Sequence, residues 1–152
     1  MVFKLYFIPK FFFVPGIVEQ RKPLSEKAKR AGWVGCNILL GDIPVQGRIP
    51  IIENGVFLEK SCVLNRVKKT QIINVENIAA RSWLMDTLQC INRIKADDFT
   101  LNMVYSFEKE LSIKHPSNNN IRAKIRQQLQ KLRDCGVIAF LGDGHYHKIR
   151  FR

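Results

Sequence analysis

The side chains best suited to chemistry in this sequence are amides and cations between Asn119 and Arg133. Asn and Gln form paired hydrogen bonds with adenine and Arg does so with guanine, while a small residue lets the backbone approach a base. At about 100° per residue, a helix from about Asn119 to Asp134 places amides and an alanine on one outward face. That face comprises Asn119, Asn120, Ala123, Gln127 and Gln130, with Arg126 at its edge.

More cations border this face, at positions where phosphates would run if a nucleic acid lay against it. They are Arg122, Lys124, Lys131 and Arg133. This sorting of amides and cations by angle predicts an interface with base edges at its centre and phosphates at its borders. The alternative interpretation is a basic helix face that is simply solvated.

Other reactive residue types do not form a site. His145 and His147 share a strand face, but no third ligand lies near them in the sequence, so we predict surface histidines and no metal site. Asp97 and Asp98 precede a helix start, where carboxylates are favoured electrostatically. No serine has the partners of a nucleophile. We therefore predict no catalytic residue and no metal ligand.

Helical patterns surround the interface and predict what positions it. Apolar spacing predicts helices over 78–93 and 101–112, the latter capped by Thr100. The third helix is predicted to end at Gly136 and to bury one stripe, made of Ile121, Ile125, Gln128, Leu129 and Leu132. A hairpin follows, with strands over 137–141 and 145–151. Three helices and a β-hairpin predict a winged helix over 78–152, whose wing adds Tyr146, Lys148 and Arg150 as DNA contacts.

Strand signals dominate residues 1–55. Runs of apolar and β-branched residues predict strands over 2–8, 11–14, 33–40 and 48–52, with a short helix over 26–31 between Ser25 and Gly32. These strands are too few to form a sheet covered on both faces, so this β-rich segment is interpreted as the end of a larger domain. Residues 56–77 have no clean period and are predicted to be a connector with one strand or a helical turn. The fold class is α+β.

The composition indicates the partner. The chain has 152 residues, of which 46% are hydrophobic, and this content excludes general disorder. Lys and Arg number 25 against 13 Asp and Glu, giving a net charge of +12 and a polyanion as the expected partner.

The apolar start is broken by Pro9, Lys10 and Pro15, so we predict neither a signal peptide nor a membrane segment. The cysteines, Cys36, Cys62, Cys90 and Cys135, form no CxxC pair and are predicted to be buried thiols of a cytoplasmic protein.

Three runs of sequence carry a family resemblance. They are RKPLSEKAKRAGWVGCNI at 21–38, GRIP at 47–50 and NNNIRAKIRQQLQKLRDCGVIAF at 118–140. They resemble the carboxy-terminal portion of the DpnI-type methyl-directed (type IIM) restriction endonucleases, the dam-replacing protein family. Such enzymes cut GATC when its adenine is methylated, with a PD-(D/E)XK nuclease domain that has a zinc-binding insert, followed by a winged helix that also prefers the methylated site. The resemblance implies double-stranded DNA with methylated GATC as the partner.

The same resemblance gives meaning to the first segment and to Trp33. Residues 1–55 resemble the end of the nuclease domain, and Trp33 matches the tryptophan that lies near the methylated adenine in this family. An indole face offers a methyl group an apolar contact. The alternative interpretation is that Trp33, at the start of a strand, belongs to the core.

The chain departs from the family at the catalytic motif. It contains no Asp followed by a (Glu or Asp)-x-Lys motif and no CxxC pair, so the family's Mg and Zn ligands are absent and no cofactor is expected. Phosphodiester hydrolysis of this type needs carboxylates that hold Mg beside the phosphate. We therefore expect the chain alone not to cut DNA.

Three functions remain open at this point. The first is a DNA-binding protein that recognises adenine-methylated GATC through the winged helix. The second is a subunit or truncated form of a type II restriction endonuclease, completed by an upstream nuclease half through strand pairing. The third is a winged-helix transcriptional regulator without methyl preference.

Overall fold

The computed structural model describes residues 1–150; Phe151, with which the last strand was predicted to end, and Arg152 lie outside the described residues. The first region contains five short strands in two antiparallel sheets. They are β1 (Leu5–Phe7), β2 (Val18–Gln20), β3 (Cys36–Ile38), β4 (Ile49–Glu53) and β5 (Val56–Phe57). β4 lies between β1 and β5, while β2 and β3 form a separate hairpin. β1 and β3 are shorter than the predicted strands over 2–8 and 33–40, β4 is as long as the predicted strand over 48–52, and β2 was not predicted.

Two predictions for this region are wrong. The predicted strand over 11–14 is replaced by two 3₁₀ turns, Lys10–Phe12 and Pro15–Ile17. Proline has no N–H for a strand ladder and is well suited to the first position of a helical turn, where Pro15 stands. The predicted helix over 26–31 is a series of turns. A segment so short, with several cations and no buried apolar side, does not repay the cost of helix nucleation.

The segment after β5 is more ordered than a connector. Helix α1 (Lys60–Thr70) follows β5 and packs against β4. Its period was not visible in the sequence because its inner side is sparse: Thr70 is buried, while Val63, Arg66 and Val67 are only half-buried. The segment 56–77, predicted to contain one strand or a helical turn, therefore contains the strand β5 and also a helix of 11 residues, which was not predicted.

The second region follows the predicted order with two differences. It contains α2 (Ile78–Arg93), β6 (Asp98–Thr100), α3 (Leu101–Tyr105), α4 (Glu108–Lys114), α5 (Ile121–Asp134), β7 (Ile138–Gly142) and β8 (His145–Lys148). The predicted second helix is divided into α3 and α4 at Phe107, whose ring packs under the Arg93 guanidinium at 4.8 Å. The unpredicted strand β6 pairs with β8, so the hairpin becomes a three-stranded sheet of order β6-β8-β7.

Side-chain caps and ring contacts fix these helices. The bounds of α2 are those that the sequence predicts, and Thr100 accepts a hydrogen bond from the Met103 N–H at 3.3 Å, confirming the predicted cap. His115, which follows α4, stacks on Trp83 of α2 at 3.9 Å, and its Nε2 lies 2.8 Å from Asp86 Oδ2. The second helical segment is thereby held against the first.

One hydrophobic core is shared by both regions. Phe12 and Ile43 of the first region belong to the same cluster as Leu88 and Leu129 of the helices. Gln46 and Asn92 reinforce this junction with a reciprocal pair of amide hydrogen bonds at 3.2 and 2.9 Å. The two regions are therefore packed together through α2.

Candidate nucleic-acid interface

Helix α5 orients the predicted interface by what it buries. All five residues of the predicted inner stripe are buried, and four of them, Ile125, Gln128, Leu129 and Leu132, have no exposed surface. After the helix, Gly136 adopts a φ of +69°, the left-handed conformation of a C-terminal cap. Because this stripe is fixed in the core, the opposite side of α5 must face solvent.

The predicted outward residues of α5 are found in three different states. Gln127, Gln130 and Asn119 are exposed, whereas Ala123 is half-buried. Asn120 is exposed too, but its side-chain oxygen caps the helix by accepting a hydrogen bond from the Ala123 N–H at 3.1 Å. The cap uses one of the two lone pairs of this oxygen, and it fixes the side chain against the first turn of the helix. Asn120 is therefore first of all a structural residue of α5.

The flanking cations differ in whether they already have a partner. Arg122 pairs with Glu108 at 2.8 Å, and Arg133 pairs with Asp134 at 2.8 Å. Lys124 and Lys131 form no ion pair with any residue between 1 and 150. The two lysines therefore have no salt bridge within the described residues that a phosphate contact would have to break.

Tyr105 of α3 lies beside the predicted interface, although it was not among the predicted residues. Its hydroxyl accepts a hydrogen bond from Arg126 Nη1 at 2.9 Å, and its ring lies 4.9 Å from the guanidinium carbon of Arg122. One tyrosine thus contacts two arginines on the outward side of α5. No sequence signal separates Tyr105 from an ordinary half-buried helix residue.

The hairpin positions its three predicted DNA contacts differently. Tyr146 is half-buried and stacks on Phe99 of β6 at 5.4 Å. The Lys148 ammonium donates to the carbonyl of Ile94 at the end of α2, and burial lowers the pKa of Lys148. Arg150 pairs with Asp97 at 2.7 Å, which lowers the pKa of that carboxyl. Lys148 is therefore turned towards the protein, and the DNA contacts of the three wing residues stay predictions.

Trp33 lies at the surface. Its side chain is 53% exposed, so the core interpretation is wrong. The indole folds over Gly35, where a Cβ would lie 2.9 Å from the ring. It borders an open pocket of about 680 Å³ with Pro15, Val18, Gln20, Val34 and Cys36. The exposed turn before it contains Lys27, Lys29 and Arg30. The methyl contact inferred from the family resemblance is therefore sterically accessible.

Two of the four cysteines differ from their predicted settings, whereas His145 and His147 are exposed, as predicted. Cys36 and Cys62 are exposed, contrary to the prediction, because β2 and β3 are exposed along their whole length and Cys62 lies on the outer side of α1. Cys90 is buried, and burial raises the pKa of its thiol to about 12. His147 Nδ1 lies 2.6 Å from Asp98 Oδ1. Over residues 1–150, His, Cys, Asp and Glu form no group of three or more that could hold a metal ion.

No helix within residues 1–150 combines the length and the apolar composition needed to cross a bilayer.

Comparison with known families divides the chain at the start of α2. The model of the Dam-replacing family (DpnI) matches residues 1–76. The model of the Dam-replacing HTH domain (DpnI_C) matches residues 79–148, from α2 to the end of β8, and so includes the whole outward side of α5. The chain therefore belongs to the DpnI-type Dam-replacing family and contains its helix–turn–helix domain at the carboxy-terminal end.

Proposed function

We propose that this protein binds double-stranded DNA through α5 and prefers GATC with a methylated adenine. The single observation that carries the proposal is the exposed pair Gln127 and Gln130 on a helix whose opposite stripe is fully buried. Exposed glutamines on a fixed helix suit paired hydrogen bonds with adenine in the major groove. Lys124 and Lys131 beside them suit the phosphates of the two strands.

The domain is proposed to be a winged helix over 78–152. Support comes from the element order, in which α2, the α3–α4 pair and α5 precede the β7–β8 hairpin. In modules of this type the last helix enters the major groove and the hairpin lies beside the adjacent backbone. The division of the chain into a nuclease-like segment at 1–55, a connector and this domain is part of the same proposal.

Methyl preference rests on family membership and on the accessibility of Trp33. Transfer of one methyl group from water to an indole face is worth about 1 kcal/mol, or roughly a fivefold change in affinity. Phosphate contacts change affinity by orders of magnitude as salt varies. Methyl preference is therefore measurable only near physiological salt and with competitor DNA present.

We propose further that the chain alone does not cut DNA. The sequence lacks the acidic-x-Lys motif that would hold Mg beside a phosphate, and it lacks the family's zinc-binding cysteine pairs. The proposed setting is the cytoplasm, because the partner is DNA and the four cysteines are unpaired.

A specific observation favours a second candidate function, that of a subunit completed by a nuclease half. The outer strands β1 and β5 expose apolar side chains, among them Phe7 at 43% and Phe57 at 74%. An exposed apolar edge strand is a template for pairing with another strand. In this second proposal, the nuclease half pairs with this sheet and supplies the catalytic carboxylates.

One titration tests these proposals. The purified chain is added to fluorescent duplexes that contain methylated GATC, unmethylated GATC or a scrambled site, with and without Mg. We expect tighter binding to the methylated duplex and no cleavage. Equal affinity for methylated and unmethylated GATC would favour a transcriptional regulator, and Mg-dependent cleavage by the chain alone would refute the proposed lack of catalysis. Cleavage that requires an added nuclease half would favour the subunit.

A further inference from the structure

A groove of about 340 Å³ runs between α5 and the hairpin. Its helix side is a single stripe, since its residues are spaced by three, four and seven positions. The groove is lined by Arg126, Leu129, Gln130, Arg133, Phe140 and Tyr146. This volume is within the range of small-ligand sites, about 300–1,000 Å³. The groove is therefore large enough for a unit about the size of one nucleotide.

The chemistry of the lining favours an anionic ligand with an apolar part. Two of the six lining residues are arginines and none is acidic. Leu129 forms a fully buried floor, whereas Phe140 is 47% exposed. A solvent-exposed apolar ring in a groove that two arginines also line is suited to a molecule that has both an anion and a carbon skeleton.

The aromatic geometry excludes a base sandwiched between the two rings. Phe140 and Tyr146 are paired across β7 and β8, with ring centroids 5.2 Å apart and planes tilted by 51°. A base held between two rings needs parallel planes about 7 Å apart, twice the carbon–carbon contact distance of ~3.5 Å. The accessible face of Phe140 therefore suits a contact from one side only.

The two arginines of the groove are spaced to contact one DNA strand at two of its phosphates. Arg126 and Arg133 are two helical turns apart, about 10 Å along the axis. Arg126 is held by the Tyr105 hydroxyl, and Arg133 by the exposed carboxylate of Asp134. Exposed ion pairs contribute little stability, so Arg133 exchanges this partner for a phosphate at small cost.

We propose that the groove holds one sugar–phosphate unit of a DNA strand, with Phe140 against the deoxyribose and Arg126 and Arg133 at the flanking phosphates. This proposal rests on the proposed function, because it requires that α5 faces a duplex. It assigns to Phe140 a contact that is independent of sequence. Phe140 thereby contributes affinity, while Gln127 contributes discrimination.

The test compares Phe140→Ala with Leu141→Ala in the full chain. Leu141 is the neighbouring residue, 61% exposed, and does not line the groove. Binding is measured on methylated, unmethylated and scrambled duplexes over a range of salt concentrations. We expect Phe140→Ala to weaken binding about fivefold on all three duplexes without changing the salt slope, because the lost contact is apolar. Leu141→Ala should bind like the wild type, and Arg133→Gln should lower the salt slope by about one.

Two further measurements identify the contact. Nuclear Overhauser effects from the Phe140 ring should reach deoxyribose protons and no base protons, and a free deoxynucleoside monophosphate should not displace the duplex at equal concentration. Melting temperatures verify that each variant folds. Wild-type affinity for Phe140→Ala, contacts with base protons, or displacement by the free nucleotide would overturn the groove proposal while the proposed function stood. Failure of the wild type to bind any duplex would overturn both.

Discussion

The two regions of the molecule differ in which elements supply their buried residues: mainly long helices in the second region, and mainly short turns in the first. In 78–150 the regular elements supply the core, and each long helix buries a stripe at helical spacing. In 1–57 the strands β1, β2, β3 and β5 consist of exposed residues, and only β4 is mostly buried. The first region reaches the core mainly through its 3₁₀ turns, with Phe11, Phe12 and Ile17. Irregular turns can therefore bind two regions together when the sheets beside them cannot.

The physical reason is the size of the elements. A strand of three residues contributes one or two side chains to each sheet face, too few to bury much apolar surface without a covering layer. The helices have 16 and 14 residues in α2 and α5 and cover one another. The first region therefore depends on α2 for its stability, whereas the helices contain most of their own core.

The largest effect is expected when the core that both regions share is disrupted at Phe12. Phe12 is 1% exposed, and its ring packs so closely on Gly47 that a Cβ at that position would lie only 2.5 Å from it. Phe12→Ala should lower the free energy of unfolding by about 3–5 kcal/mol. Urea denaturation followed by circular dichroism and by Trp fluorescence measures the loss. Because the core is shared, both signals should change in one transition.

Phe13→Ala is the matched control for Phe12→Ala. Phe13 is the next residue and is 39% exposed, so its removal should cost less than about 1 kcal/mol. Separate transitions for the two regions of the Phe12 variant would show that they are stabilised independently.

A smaller effect is expected for base recognition in the second region. Gln127→Ala should reduce discrimination between GATC and scrambled duplexes about tenfold, because a paired amide contact is worth about 1–3 kcal/mol. Lys131→Ala should weaken binding to every duplex alike and lower the salt slope by about one. Anisotropy titrations distinguish the two outcomes. A uniform loss in both variants would contradict the assignment of the outward side of α5.

The first region should make a different contribution to recognition. Trp33→Ala should abolish the preference for methylated over unmethylated GATC, a change of roughly fivefold, and should leave discrimination against scrambled DNA intact. Competition titrations with paired duplexes measure this ratio. Trp33→Phe keeps an aromatic face and should retain part of the preference. If Trp33→Ala kept the full preference, methyl recognition would belong to the second region alone.

The smallest expected effect is a loss of stability at alkaline pH that arises from Cys90. Burial raises the pKa of this thiol to about 12, whereas in the unfolded chain it ionises near its ordinary value of 9.0. Above about pH 9 the unfolded state releases a proton that the native state retains. Stability should therefore be complete below that pH and fall as pH rises towards 12.

By about pH 9.5 the free energy of unfolding should have fallen by less than about 1 kcal/mol because of Cys90. Urea denaturation at a series of pH values measures it, with Cys90→Ala as the variant that lacks this component. The exposed thiols of Cys36 and Cys62 should react with a thiol reagent in the native state, whereas Cys90 should react only on unfolding. An unchanged pH dependence in Cys90→Ala would contradict this explanation.

Local signals predicted the second region well. The bounds of α2, the cap at Thr100, the inner stripe of α5 and the turn at Gly136 follow from spacing and from residue type within a few positions. Helical contacts between positions three and four apart are short in range, so the sequence itself contains the information. The division at Phe107 and the pairing of β6 with β8 depend on distant partners and were not predicted.

The sequence alone determined that the chain is basic, which side of α5 is buried and which family the chain resembles, because charge, helical period and sequence similarity are local properties. Tertiary structure alone decided that Trp33 is exposed, that Lys148 is turned towards Ile94 and that Tyr105 contacts two arginines of the interface. Each of these facts depends on which distant segment covers a side chain. Burial of that kind is set by the packing of whole elements, and no local pattern encodes it.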